Sequence, residues 1–317
     1  MEDYPRSLLE FEARFATDDA CRQYLAALRW PEGFTCPACG AGEAWSTGRG
    51  LWMCRACGRQ ASVTAGTIFQ DARTPLTLWF RAIWWVVGQK NGASALGLQQ
   101  TLGLGSYRTA WTWLHKLRRA MVRPGREPLS GSVEVDETLV GGTEPGGGRR
   151  HLGQKKALVV IAAEVRGRAV GRIRMQRVAS AAAADVLPFV QEAVAPGSIV
   201  ITDGLQTYVG LPEKGYQHER RVVLGSGESA EAVLPRVHRV ASLLKRWLLG
   251  THQGAVSREH LDYYLDEFCF RFNRRASRHR GKLFYRLVQQ TVAVEPVPYA
   301  ALVKGIRGRP KATEHNG

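Results

Sequence analysis

SVEVDETLV (132–140), ALVVIAAEV (157–165), GRAVGRIRMQRV (167–178) and SIVITD (198–203) are the runs that decide the fold of the second half of the chain. Each is short, apolar and rich in β-branched residues, which is the pattern of strands buried in a sheet. SAAAADVLPFVQEAV (180–194) separates the third run from the fourth and reads as a helix. Three strands, a helix and a further strand that ends on an aspartate predict an α/β domain in the order β-β-β-α-β. Residues 235–249 and 257–275 follow as helices.

Two aspartates hold marked positions in this pattern. Asp136 lies in the middle of the first strand, and Asp203 closes the fourth, just ahead of Gly204. Ligands of open α/β sheets bind outside the carboxyl ends of strands, which suits Asp203. An antiparallel hairpin, a helix and a parallel strand would bring Asp136 beside it. Two carboxylates that close repel unless they share a cation, and hard oxygen donors select Mg²⁺ or Mn²⁺. A pair of such ions is the usual apparatus for in-line attack on a phosphodiester. The plain alternative is that both aspartates cap turns. Strand alternation puts Glu134 on the face of Asp136 and Glu137 on the opposite face. Glu134 is thereby a reserve ligand, and Glu137 a group that binds backbone or a cation behind the sheet.

Upstream, RPGREPLSGS (123–132) is a linker by its Pro, Gly and Ser content. Before it, Leu76, Phe80, Ile83, Trp84 and Val87 make one apolar helix face. Ala93–Leu102, the turn Gly103-Leu104-Gly105 and Ser106–Met121 then read as helix, tight turn, helix, with Ser106 as N-cap. The basic end of the second helix (His115, Lys116, Arg118, Arg119), together with Arg108, suits a helix-turn-helix whose second helix enters a DNA major groove. A helical hairpin that only packs against its neighbours is the alternative. Trp111 and Trp113 are assigned to the core.

Nearer the start stand two Cys-x-x-Cys knuckles, Cys36/Cys39 and Cys54/Cys57, fourteen residues apart, each followed by glycine. The duplicated spacing predicts one structural zinc ion in a tetrahedron of thiolates, rather than two disulfides or a redox pair. The hairpin between the knuckles would carry Trp45 and Trp52 to shield the metal. A single N-terminal helix is expected over 7–29, from the spacing of Leu8, Phe11, Phe15, Tyr24, Leu25 and Leu28.

The 317-residue chain has 44 Lys+Arg against 28 Asp+Glu, a net charge of +16, and a pI near 10.0. Such an excess points to a polyanionic partner, nucleic acid before anionic membrane. The opening MEDYPRSLLEFEARF has acids where a secretory signal would be basic. WFRAIWWVVG (79–88) is too short to cross a bilayer. With Cys21 and Cys269 as isolated packing residues, the cysteine usage fits a reducing cytoplasm. A cytoplasmic, nucleoid-associated protein with no membrane partner is therefore expected.

CPACG…CRACG, VDETLVGG, ITDGLQTY, LLKRWLLGTHQG and HLDYYLDEFCFRFNRR, in that order, resemble bacterial insertion-sequence transposases with an N-terminal zinc ribbon and a DDE-type catalytic domain. The resemblance runs from about residue 20 to 290 and implies an RNase H-like sheet. It implies that Asp136 and Asp203 are the first two ligands of a catalytic Mg²⁺ or Mn²⁺ pair. At the third position the chain departs from the common pattern. Counting seven residues back from Lys245 gives His238 where many relatives have Glu, as in branches that use His or Asn. His238 is then the third ligand, with Glu228, Glu231 or Glu134 as alternatives, and Lys245 holds a DNA phosphate. Seven residues are almost two helical turns, so the two side chains share a face. Arg246 and, on the C-terminal helix with His260 and Asn273, Arg271, Arg274 and Arg275 would grip phosphates. GGTEPGGGRRHLGQKK (141–156) reads as a basic hairpin tip whose Arg149, Arg150, Lys155 and Lys156 reach for DNA. Arg307–Pro310 has the core of a minor-groove hook, with a plain basic tail as the alternative.

The domains expected are an N-terminal helical segment (1–32), the ribbon (33–73), the helix-turn-helix (74–122), the linker (123–132), the catalytic domain (133–295) and a basic tail (296–317). The implied function is a transposase that binds terminal inverted repeats and target DNA, as a homodimer or higher oligomer, and cleaves and transfers strands. The alternative is an inactive, domesticated regulator that keeps only the DNA-binding modules.

Overall fold

The computed structural model describes residues 2–123, 125–141, 156–222, 230–254 and 256–305, with only the backbone of 230 and 231. These residues cluster into two units: Met1–Pro124 with Ala276–Gly317, and Gly125–Arg275.

The first unit begins with α1 (Leu8–Arg14) and α2 (Asp18–Arg29). The single helix expected here is broken because Thr17 starts a second one. Its hydroxyl accepts the Ala20 amide hydrogen at 3.2 Å, and Asp18 and Asp19 follow in the first turn. A capping hydroxyl and two acids at a helix N-terminus outweigh continuation of the apolar pattern. Strands β1 (Ala44–Ser46), β2 (Trp52–Cys54) and β3 (Gln60–Ala61) form the antiparallel ribbon sheet. Trp52 packs edge-on against Trp30, while Trp45 is 46% exposed.

Helices α3 (Leu76–Gly88), α4 (Ala95–Leu102) and α5 (Tyr107–Ala120) complete the first stretch. Gly103 ends α4 in the left-handed conformation at φ +61°, which a residue with a Cβ resists. The Ser106 hydroxyl then accepts the Thr109 amide hydrogen at 3.1 Å to open α5. Trp113 is buried and stacked on Trp79 with ring centres 3.9 Å apart.

The second unit is a five-stranded mixed sheet flanked by helices. Strands β4 (Ser132–Gly141), β5 (Lys156–Arg166) and β6 (Ala169–Val178) form an antiparallel meander. Helix α6 (Ala183–Ala193) leads to β7 (Ile199–Thr202), which lies parallel to β4 on its other side, and β8 (Gln217–Arg220) extends the edge. The strand order is β6-β5-β4-β7-β8. One face of the sheet (Val133, Val135, Val160, Ala162, Val200) closes on Val186, Phe189 and Val190 of α6. After α7 (Ala230–Val233), the helix α8 (Pro235–His252) reaches the opposite face of β4, and α9 (Leu261–Asn273) packs along β6.

The edge strand β6 is blocked by side chains rather than left open. Asn273 accepts from the Ile173 N–H at 2.7 Å and donates to the Ile173 carbonyl at 3.0 Å, imitating a neighbouring strand. Asp262 takes the Arg177 N–H in the same way. Helices α10 (Arg280–Thr291) and α11 (Tyr299–Val303) return to the first unit, where α10 packs on α2, α3 and α5. Residues 276–295, read from sequence as part of the catalytic domain, thus cluster with the N-terminal segment. The tail from 306 onward, with Arg307–Pro310, lies outside the described residues.

Candidate active site

The four knuckle cysteines converge. All four sulfurs lie within 4.8 Å of one another, with Cys36–Cys57 at 3.7 Å and Cys39–Cys54 at 3.6 Å. A zinc ion about 2.3 Å from each sulfur needs edges of roughly 3.8 Å, so the tetrad fits a structural zinc site. The Ala38 amide, with help from that of Cys39, pushes the Cys36 thiol down to about 6. Cys39 also receives an amide hydrogen bond, from Ala41, yet three crowding sulfurs push it up to about 12. Four thiols this close lose their protons together only around a cation. Among the described residues, no other set of three or more His, Cys, Asp or Glu donors is so compact.

A second, looser group of acids forms at the end of the mixed sheet. β4 and β7 run parallel, with Ser132 opposite Ile199 and Glu134 opposite Ile201. Two residues further on, Asp136 is still in β4 and Asp203 directly follows β7, near enough for its charge to act on Asp136. Asp203 closes a tight turn, in which its Oδ1 accepts the Leu205 amide hydrogen at 3.1 Å and Gly204 takes φ +87°. The Thr202 hydroxyl supports the turn, accepting from the Gly204 N–H at 3.3 Å and meeting His218 Nε2 at 2.9 Å.

From the other layer α8 brings His238, whose Nε2 lies 3.6 Å from Asp136 Oδ2. Burial pushes the Asp136 carboxyl up to about 7; the Glu137 amide opposes this, the Asp203 charge adds to it, and Lys245 opposes it. Lys245 is exposed on α8, and partial burial of its stem lowers its pKa while Asp136 works against that shift. The Asp203 and Lys245 charges thus both act on Asp136, and His238 lies beside it, though Asp136, Asp203 and His238 are not drawn onto a single ion-sized point. Two carboxylates and an imidazole are donors that Mg²⁺ or Mn²⁺ accepts, and a spread arrangement suits two ions better than one.

Glu134 has another occupation. It is fully buried, and its carboxylate accepts the N–H groups of Arg236 at 2.7 Å and Val237 at 3.0 Å. The Arg236 guanidinium pairs with it at 3.1 Å. Glu134 thus caps the first turn of α8 from the neighbouring strand, where free amides and the helix dipole favour an anion. With its oxygens engaged, it is not a reserve ligand.

Glu137 also departs from expectation. Besides its own backbone N–H, it has a side-chain partner on that face that the sequence did not show: the Tyr208 hydroxyl donates to its Oε1 at 2.8 Å. Burial pushes the Glu137 carboxyl up to about 7, the Tyr208 hydrogen bond pulls it down, and the charges of Asp136 and Asp203 push it up again. Of the alternative third ligands, Glu228 lies outside the described residues, as does the side chain of Glu231.

Several cations assigned to DNA face inward instead. Arg118 and Arg119 are buried. Arg118 lies near His115 and donates to the Ala93 carbonyl at 3.4 Å. Lys116 is half-buried and donates to the Ile68 carbonyl at 3.3 Å. The basic end of α5 is a core-anchoring end, because helix periodicity put those residues on its packed side. What α5 exposes is its beginning: Ser106, Tyr107 and Arg108, the last stacked 3.9 Å over the Tyr299 ring.

Arg271 pairs with the buried Glu267 at 2.7 Å, Arg274 lies over the Phe270 ring, and Arg275 donates to the carbonyls of Phe272, Gly171 and Val170. These three hold α9 and the sheet edge. Arg246 is exposed on α8, and Lys156 is half-buried where β5 begins. Arg149, Arg150 and Lys155 lie outside the described residues.

Comparison with known proteins agrees with this layout. A family described as the ISXO2-like transposase domain matches residues 128–273, and the transposase zinc-ribbon domain matches residues 16–60. An "Uncharacterized protein in transposable element ISH50" from Halobacterium salinarum is 26% identical over 297 residues, covering 87% of this chain and 97% of its own. No solved structure matches the chain. No helix among the described residues is long and apolar enough to cross a membrane. With a zinc-ribbon match followed by a transposase-domain match, and a relative from a transposable element alongside most of its length, the chain has the domain order of, and is similar to, the insertion-sequence transposases that carry a zinc ribbon ahead of a DDE domain.

Proposed function

We propose that the protein cleaves the ends of its element and transfers the freed strands to target DNA at the Asp136/Asp203/His238 centre. One observation carries this reading: the parallel β4/β7 pairing leads to Asp136 and Asp203 at the same end of the sheet, and α8 sets His238 Nε2 3.6 Å from Asp136 Oδ2. Holding two acids together in a partly buried place costs stability, and the cost is recovered when a divalent cation binds between them. An inert regulator has no use for that arrangement. The strand order β6-β5-β4-β7-β8, an antiparallel trio extended by parallel strands, supports the RNase H-like reading of the sheet.

In this reading Asp136 and Asp203 hold the ions and His238 supplies a third, neutral donor. When bound, a Mg²⁺ or Mn²⁺ pair supplies activation of the attacking oxygen and stabilisation of the leaving oxygen. Lys245 sits further along the His238 face of α8 and holds the scissile phosphate over the centre as a point charge. Water is the first nucleophile and the freed 3′-hydroxyl the second.

The ribbon and the α4–turn–α5 element recognise the terminal inverted repeats, with the exposed start of α5 toward the bases. Bringing two ends together requires at least a dimer on DNA. The test is strand cleavage and transfer by zinc-loaded protein on terminal-repeat DNA with Mg²⁺ or Mn²⁺. Metal-dependent 3′-ends that join to a target support the proposal, and DNA binding without cleavage in either metal opposes it.

A further inference from the structure

The backbone ladder between β4 and β7 ends at Glu134–Ile201, two residues short of both Asp136 and Asp203. Beyond that rung β4 stays paired with β5 and β7 with β8, but the two aspartate-bearing segments share no further rung with each other, so a direct tie between them falls to side chains. Glu137 directly follows Asp136 and, by strand alternation, turns to the α6 side of the sheet, with Val133 and Val135. Tyr208 belongs to the same buried core and stands in the short 3₁₀ turn Gln206–Tyr208 that follows Asp203. Its hydroxyl reaches Glu137 Oε1 at 2.8 Å.

The segment between Asp203 and Tyr208 is stiff. Leu205 donates to Asp203 at 3.1 Å, and the Thr207 hydroxyl donates to the Ala181 carbonyl at 2.6 Å. A bond at Tyr208 is therefore transmitted to Asp203 with little slack, and a bond at Glu137 to its neighbour Asp136.

We infer that the Tyr208–Glu137 hydrogen bond is a positioning pair that fixes the distance between the Asp136 and Asp203 carboxylates, and so sets the affinity of the centre for a divalent cation. Neither residue is a ligand in this assignment: Glu137 faces away from His238, and its oxygen is taken by the phenol. The inference rests on the proposed role of the two aspartates. It goes further in tying the VDET and DGLQTY motifs to each other by one bond.

The test measures Mn²⁺ binding to zinc-loaded protein by the spin-resonance signal of free Mn²⁺, with thermal melts as a check on folding. Tyr208→Phe keeps the ring that fills the core and removes only the hydroxyl. Glu137→Gln keeps an oxygen that accepts the phenol proton and removes the charge; Glu137→Ala removes both. Tyr208→Phe and Glu137→Ala are expected to weaken Mn²⁺ binding about tenfold, as for other groups that orient metal ligands. Glu137→Gln should stay within about threefold of wild type, a rescue that a role of its charge would not give.

Wild-type affinity in Tyr208→Phe overturns the inference, as does a loss in Glu137→Gln as large as in Glu137→Ala. If Asp203→Asn abolishes binding while Tyr208→Phe leaves it unchanged, the metal centre stands and only the positioning pair falls. If the wild-type protein takes up no Mn²⁺, both fall.

Discussion

His238 Nε2 lies 3.6 Å from Asp136 Oδ2, and the two side chains come from different layers, one from helix α8 and one from the middle of β4. The contact is possible because Glu134, two residues before Asp136 on the same face, anchors the first turn of that helix. A single strand thus sets both the position of α8 and the acid that its histidine meets.

Glu134→Ala would remove the acceptor of the Arg236 and Val237 amides and leave the Arg236 guanidinium only the Gly167 carbonyl. A loss of roughly 3–5 kcal/mol is expected, read as a lower urea midpoint. Glu134→Gln, which keeps an oxygen for the α8 amides, should keep Mn²⁺ binding when folded, since Glu134 holds the helix and not the ion. Loss of Mn²⁺ binding by a folded Glu134→Gln protein would argue that this carboxylate is a ligand.

The acidic centre makes stability depend on pH in a direction opposite to that of paired surface acids. Asp136 and Glu137 titrate near 7 in the folded protein, against about 4 in an unfolded chain. Between about pH 4 and 7 the folded state holds protons that the unfolded state has released, so stability falls as pH rises through this window. Without Mg²⁺ or Mn²⁺, wild-type melting temperature should drop from pH 4.5 to 7.5 relative to that of Asp136→Asn. Added Mn²⁺ should restore it at pH 7.5 in the wild type alone. Parallel profiles for the two proteins would contradict the assignment.

Cys54→Ser removes one corner of the sulfur tetrahedron. Metal analysis should find one zinc per wild-type chain and substantially less in the variant. The ribbon should lose its fold, since structural zinc supplies on the order of 10 kcal/mol to such small units. Full zinc content in Cys54→Ser would point to another donor.

The two ends of α5 should behave differently. Arg118→Ala is expected to destabilise the first unit by a few kcal/mol, because it empties a buried site and strips the Ala93 carbonyl of its donor. Arg108→Ala should leave stability within about 0.5 kcal/mol, while weakening binding to terminal-repeat DNA and reducing the salt slope by about one. Fluorescence anisotropy across a salt series separates the two. Equal loss of DNA affinity in both variants, at unchanged stability, would return Arg118 to the DNA face.

The strand runs around Asp136 and Asp203, the cysteine knuckles and the Ser106 cap were legible because each is a local pattern with one physical solution. β-Branched runs must pair, duplicated Cys-x-x-Cys must turn onto an ion, and a serine before a helix must cap it. Burial of Arg118 and Arg119, and the pairing of Arg271 with Glu267, were not legible, since a basic helix face looks the same whether it meets solvent or the protein's own acceptors. The cap supplied by Glu134 to a helix a hundred residues later is equally hidden, being a tertiary contact with no local spacing. Glu137 was placed on the correct face by alternation, but only the fold shows that Tyr208 waits there. Thr17, which breaks the first helix, carried a readable signal that the stronger apolar periodicity masked.

The shared acidic centre is tested most directly by cleavage of end-labelled terminal-repeat DNA in Mn²⁺ by zinc-loaded wild-type protein, Asp136→Asn and Asp203→Asn. Each substitution keeps shape and removes one charge. Cleavage is expected to fall by at least about a thousandfold in both variants, with DNA affinity unchanged. Wild-type cleavage by either variant would show that the chemistry resides elsewhere.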